Sequence, residues 1–121
     1  MIRFLKHTLL IMEMNLQILM SIVDEVFRCD ETVYWKLKHL PKEKWGNEII
    51  SHSARHFSKS AGKLESLCEA YEHGLPFNNE EAKDIVLSAM ATLLKTASML
   101  GMNAEDILEG VPQKIGYKGK K

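Results

Sequence analysis

The chain has 121 residues, 45% of them hydrophobic, which is enough for one domain with a core and too little for two. Its 16 basic and 16 acidic residues cancel, so no overall field draws nucleic acid or an acidic substrate, and any anion site must be local. Residues 1–20 are rich in Leu, Ile and Met, but Arg3, Lys6, His7, Glu13, Asn15 and Gln17 interrupt them too often for a membrane span, and no small-residue cleavage site follows. The expectation is a single soluble, cytoplasmic domain over 1–121. Met12 and Met14 are alternative starts that would make 1–13 an upstream extension.

From about Leu9 to Arg28, the residues Leu16, Leu19, Met20, Val23, Val26 and Phe27 recur at three- and four-residue steps and predict an amphipathic helix. The stretch from Cys29 to Gly46, with Tyr34, Trp35, Pro41 and Trp45, reads as a loop with a short turn, its aromatics pinned to the core. Asn47 then opens a second helix that runs to His73, where Gly74 supplies a left-handed cap residue and Pro76 prevents continuation. Asn78 caps a third helix, with Glu81 as its capping-box partner, and the apolar run from Ile85 to Leu100 ends at Gly101. Asn103 and Gly110 bracket a short last helix, with Pro112 beyond it. Residues 113–121, with Lys114, Lys118, Lys120 and Lys121, read as a solvated basic tail rather than a nucleic-acid contact. No strand pattern or repeat interrupts this order, so the expected class is all-α, a helical bundle of about four helices.

At about 100° per residue, Ile50, Phe57, Leu64, Cys68 and Tyr71 form one stripe of the second helix and are its expected core face. Cys68 on this stripe and Cys29 outside it are not closely spaced, and both read as reduced core thiols. His52, His56, Lys59, Ser60 and Lys63 flank the stripe, while Glu65, Glu69 and Glu72 point away as a solvated face. On the third helix Glu81, Asp84, Ser88 and Lys95 line up beside Ile85, Ala89, Leu93 and Leu100. Antiparallel packing across the loop from Gly74 to Asn79 would let the two polar lines meet.

The segments "KSAGKLESLCEA" (Lys59 to Ala70) and "EEAKDIVLSAMATLLKTASMLGMNAEDIL" (Glu80 to Leu108) resemble the MazG-like, all-α nucleoside triphosphate pyrophosphohydrolases. In that superfamily a Glu-x-x-Glu helix and a following Glu-x-x-Asp helix hold magnesium, which orients the triphosphate and activates water. The resemblance covers a little under half of the chain and implies a nucleotide ligand and a homo-oligomer. It carries the second motif onto Glu81 and Asp84 as magnesium ligands. It puts Ser60 and Lys63 where the first motif's glutamates would stand, which removes two anionic ligands and adds a cation.

Three readings of the polar residues follow. In an active pyrophosphohydrolase, Glu81 and Asp84 hold the metal, Lys59 or Lys63 contacts phosphate, and His56 or Glu81 serves as general base. In a helical module without hydrolysis, the same surface binds a nucleotide or a protein. In a closed site, Lys59 and Lys63 pair with Glu81 and Asp84 and replace the metal's charge. His52 and His56, four residues apart, could also give two imidazole ligands to a transition metal, against the plainer reading of hydrogen-bonded histidines at the core edge. Glu81 and Asp84 likewise have a plain role, as first-turn carboxylates that complement the helix dipole.

Overall fold

A computed structural model describes residues 2–28, 30, 32 and 34–119, and of residues 2–5, 7 and 9 only the backbone. The described residues form four α-helices: α1 (Ile2–Val26), α2 (Trp45–Glu72), α3 (Asn79–Met99) and α4 (Ala104–Lys114). Two short 3-10 turns, Trp35–His39 and Lys42–Lys44, lie between α1 and α2. Among the described residues there is no strand, and the all-α bundle is the one that the helical periodicities require.

The two central helices form an antiparallel hairpin, and its turn chemistry is local. Gly74 adopts φ +92°, a conformation that costs a residue with a Cβ about 1 kcal/mol or more. There its N–H donates to the Tyr71 carbonyl at 3.0 Å and the Leu75 N–H to the Ala70 carbonyl at 3.1 Å, satisfying two orphan acceptors of α2. At the start of α3 the Asn78 side chain accepts from the Glu81 N–H at 3.1 Å. A full capping box starts α4, with Asn103 Oδ1 accepting from the Asp106 N–H at 2.9 Å and Asp106 Oδ2 from the Asn103 N–H at 2.8 Å.

Several elements differ from the sequence reading. The first helix begins at Ile2 rather than Leu9, since no Gly or Pro interrupts residues 2–8. In the loop after α1 the anchor is Leu37, fully buried, whereas Trp35 is 68% exposed. Trp45 does hold the loop, its indole N–H donating to the Leu40 carbonyl at 3.0 Å. The last helix does not stop at Gly110 but runs through Pro112 to Lys114. Pro112 forfeits only its own N–H bond, two residues from the end, and its carbonyl still accepts from the Tyr117 N–H at 2.9 Å. Gly116, at φ +76°, is the terminating residue. The basic tail is thus shorter than 113–121 suggested, and Lys120 and Lys121 lie outside the described residues.

The largest helix–helix contact joins α2 to α3, and α1 packs mainly on α3 and α4. The core comprises Met20 and Val23 of α1, Leu37, Ile49 of α2, Ala82 and Ile85 of α3 and Ala104 of α4. Polar links close the bundle: Gln17 Oε1 accepts from the Ala104 N–H at 3.0 Å, and Lys95 Nζ lies 3.3 Å from Asp24 Oδ1.

The buried stripe of α2 is rotated from the expected one. Ile49 and Ser53 are buried and Ser60, Leu64 and Leu67 half-buried, while Phe57 and Tyr71 are exposed. Cys68 is an exposed free thiol, not a core one, and Cys29 lies outside the described residues. Small and bulky residues share this seam, Ser53 and Ser60 alternating with Ile49, Leu64 and Leu67, and Phe57 and Tyr71 fall outside it. Among the described residues no single helix is long and apolar enough to cross a membrane.

Candidate functional site

Because the seam passes through Ser53 and Ser60, the His/Lys face of α2 lies along the α2–α3 junction. His56, Lys59, Ser60 and Lys63 from α2 face Leu87, Ser88, Ala91 and Thr92 from α3 across a groove of about 480 Å³, closed at one end by Phe27. A second cavity of about 320 Å³ continues from it and shares Phe27, His56 and Thr92. Its other walls are the apolar or aromatic Val26, Tyr34, Ile49 and His52 together with Arg28, Ser53 and Lys95. The result is one cleft with a cationic, hydroxyl-bearing half and an aromatic half.

The aromatic half is held by a chain of contacts that begins in the loop. Lys36 Nζ sits 2.8 Å from Glu48 Oε1, and the Tyr34 hydroxyl donates to the same oxygen at 3.0 Å. These two bonds hold the Glu48 carboxyl below its ordinary pKa, and the bond to Glu48 raises that of Lys36. Desolvation, with Glu48 adding to it, raises the Tyr34 pKa. The Tyr34 ring stacks on His52 at 4.6 Å between centroids, and His52 meets His56 edge-on at 4.5 Å. The two Nε2 atoms are 3.0 Å apart, so one donates and the other accepts. Burial first, then His56 and Arg55, push the His52 pKa below 6.5. Lys95 is only 11% exposed at its side chain and faces Asp24 of α1.

The acidic residues stand elsewhere. Glu81 and Asp84 are exposed on the first turns of α3, at least one turn nearer the hairpin loop than Ser88, and line neither cavity. The Glu81 carboxylate accepts from Asn78 Nδ2 at 3.3 Å and thereby belongs to the cap. Neither carboxylate pairs with Lys59 or Lys63, so the two polar lines do not meet and the ion-paired closed site does not form. Among the described residues no three His, Cys, Asp or Glu side chains converge as a metal-binding group. Of the predicted residues, His56, Lys59 and Lys63 come together with Ser60; Glu81 and Asp84 stay apart from them. His52 and His56 do meet, as hydrogen-bonded partners.

Phe27, Tyr34 and Thr92 complete the cleft, with the Glu48–Lys36 pair holding Tyr34 from outside it, and none of these was expected there. Tyr34 had a signal, as an aromatic in the loop; Thr92 and Glu48 had none beyond helical phase. No family model, no curated protein and no solved structure matches the chain. Chemically, the cationic half can accept an anion from two ammonium groups and hydroxyl donors, and the aromatic half can take a flat ring.

Proposed function

We propose that the chain binds a small phosphate-bearing molecule of the nucleotide class in the α2–α3 cleft and does not hydrolyse it. One observation carries this reading: Lys59, Lys63 and His56 line the groove with Ser60 and Ser88, whereas Glu81 and Asp84 lie outside it. A phosphate chain laid along the groove meets ammonium groups and hydroxyl donors. The base then reaches the cavity where Tyr34, Phe27 and His52 supply flat walls. The two volumes together fall within the range of about 300–1,000 Å³ usual for small-molecule sites.

Hydrolysis would need carboxylates to hold magnesium against the phosphates, and Ser60 and Lys63 occupy those places in the resemblance to the MazG-like enzymes. The bundle is accordingly read as a MazG-like fold whose ligand site keeps the phosphate and has lost the metal. With a nucleotide ligand, the protein would work in the cytoplasm.

The test is thermal denaturation and calorimetric titration with nucleoside triphosphates and pyrophosphate, with and without magnesium. A ligand at one hundred times its Kd raises stability by about 2.7 kcal/mol, a melting shift of several degrees. Lys63→Glu should abolish the shift and Glu81→Gln should preserve it. No shift with any nucleotide would overturn the binding reading. Pyrophosphate release that disappears in Glu81→Gln would overturn its non-catalytic half and restore the hydrolase.

A further inference from the structure

Helix α1 is apolar on two opposite faces. The inner face packs Met20 and Val23, 1% and 6% exposed, against the bundle. The outer face carries Ile11, Met14, Ile18 and Ile22 at steps of three, four and four residues, each 45–57% exposed. That spacing is the seam of a helix that packs on another helix, and none of the described residues covers it. We propose that two copies of the chain pair through this face, with their α1 helices antiparallel about a two-fold axis at Ile18.

The surface area supports a second copy. The chain exposes 9815 Å², against about 6,600 Å² for a compact monomer of 13.8 kDa, an excess near 3,000 Å². Obligate homodimers bury about 2,000–5,000 Å² in total, so one α1-centred interface fits within the excess. Composition argues against a lipid surface as the occupant. From Leu10 to Val26 the charged residues are Glu13, Asp24 and Glu25, all acidic; the cations of α1, Arg3 and Lys6, precede the outer face and Arg28 follows it, whereas helices that lie on anionic membranes carry Lys or Arg along the polar face beside the apolar one.

Direction follows from charge. Glu25 lines the outer groove with Met14, Ile18 and Ile22. A parallel pair would press Glu25 against its own copy, while an antiparallel pair sets Ile18 on Ile18 and Met14 on Ile22 and separates the two glutamates. This interface is distinct from the α2–α3 cleft and does not depend on what binds there.

Sedimentation velocity on the full chain, at concentrations on the order of 10 µM, reads the state directly. A dimer is expected, and Ile18→Glu should weaken it by about a hundredfold or more, since the substitution enters the interface twice. Orientation is read by oxidation in a Cys29→Ser/Cys68→Ser background: Ile18→Cys should cross-link and Ile22→Cys should not, and both keep an uncharged side chain on the face. A monomer, or a dimer untouched by Ile18→Glu and cross-linked by neither cysteine, would overturn the proposal. So would preferential cross-linking of Ile22→Cys, which would mean a parallel pair. Binding to vesicles of anionic lipid that Ile18→Glu abolishes, with the chain otherwise monomeric, would replace the second copy with a membrane.

Discussion

Lys95 and Asp24 join α3 to α1 at the edge of the aromatic cavity, and their unequal burial predicts unequal mutational costs. The ammonium lies 3.3 Å from the carboxylate; the lysine side chain is 11% exposed and that of the aspartate 42%. At an effective dielectric constant of about 20, the attraction at that distance is about 5 kcal/mol before desolvation is subtracted. Most of it is offset by the cost of taking the ammonium out of water, so the net value of the pair is small. Removing one partner leaves the other with its desolvation uncompensated. Asp24→Asn strands the buried ammonium and should destabilise the fold by about 2 kcal/mol, below the 3–5 kcal/mol of fully buried pairs because Asp24 itself is partly hydrated. Lys95→Met keeps the aliphatic stem and frees a carboxylate that water already reaches, so its cost should stay below about 1 kcal/mol.

Urea denaturation at one fixed protein concentration measures both variants, with an unchanged m value showing that the transition itself is the same. The double variant should be about as stable as Lys95→Met alone, because the aspartate's loss no longer strands anything. If Lys95→Met costs as much as Asp24→Asn or more, the ammonium is not the buried member and the reasoning fails.

The lowered pKa of His52 sets a pH dependence. Its contribution is complete above about 6.5, where the imidazole is neutral in the folded and unfolded chain alike. It is lost as pH falls from 6.5 through the folded value, because the unfolded chain takes up the proton first. Melting temperatures between pH 7.5 and 5 should drop more steeply for the wild type than for His52→Gln, and parallel curves would contradict this. Asn103→Ala removes the side chain that starts α4 and should cost about 1 kcal/mol in urea denaturation, with a cost near zero counting against the capping box. Gly74→Ala should cost about 1 kcal/mol through backbone strain alone, since a Cβ there meets no atom within 4 Å; a neutral result would mean that the turn relaxes.

The helices were legible because their ends are chemical. Asn78, Asn103, Gly74 and Gly101 each satisfy backbone groups that the helix cannot; Asn47 and Gly110, of the same types, lie inside α2 and α4 and mark no end. Pro112 misled because proline was read as a stop, although near a C-terminus it removes only one bond. The 3-10 turns were not legible. They are short, and their anchor, Leu37, sits among the lysines and histidine of Trp35–His39 with no periodicity to single it out.

The cleft was half legible, and the missing half has a physical cause. Ranking residues by hydrophobicity points α2 along Ile50, Phe57, Leu64, Cys68 and Tyr71, of which Ile50 and Leu64 are half-buried and the other three exposed, whereas the seam also takes in the polar Ser53 and Ser60. The phase error moved the His/Lys face from the seam to the flank. The hairpin register would have corrected the partners: counted outward from Pro76, Lys63 falls opposite Ser88 and Ala89 and not opposite Asp84. A lysine opposite a serine makes a site for an anion; a lysine opposite an aspartate makes a closed ion pair. The turn length between α2 and α3, more than the identity of either polar line, therefore decides which of the two the molecule presents. Lengthening α3 by one turn between Asp84 and Ser88 would carry the carboxylates no nearer to Lys63 while displacing Ser88 and Thr92 from the groove, so the cleft tolerates no such shift.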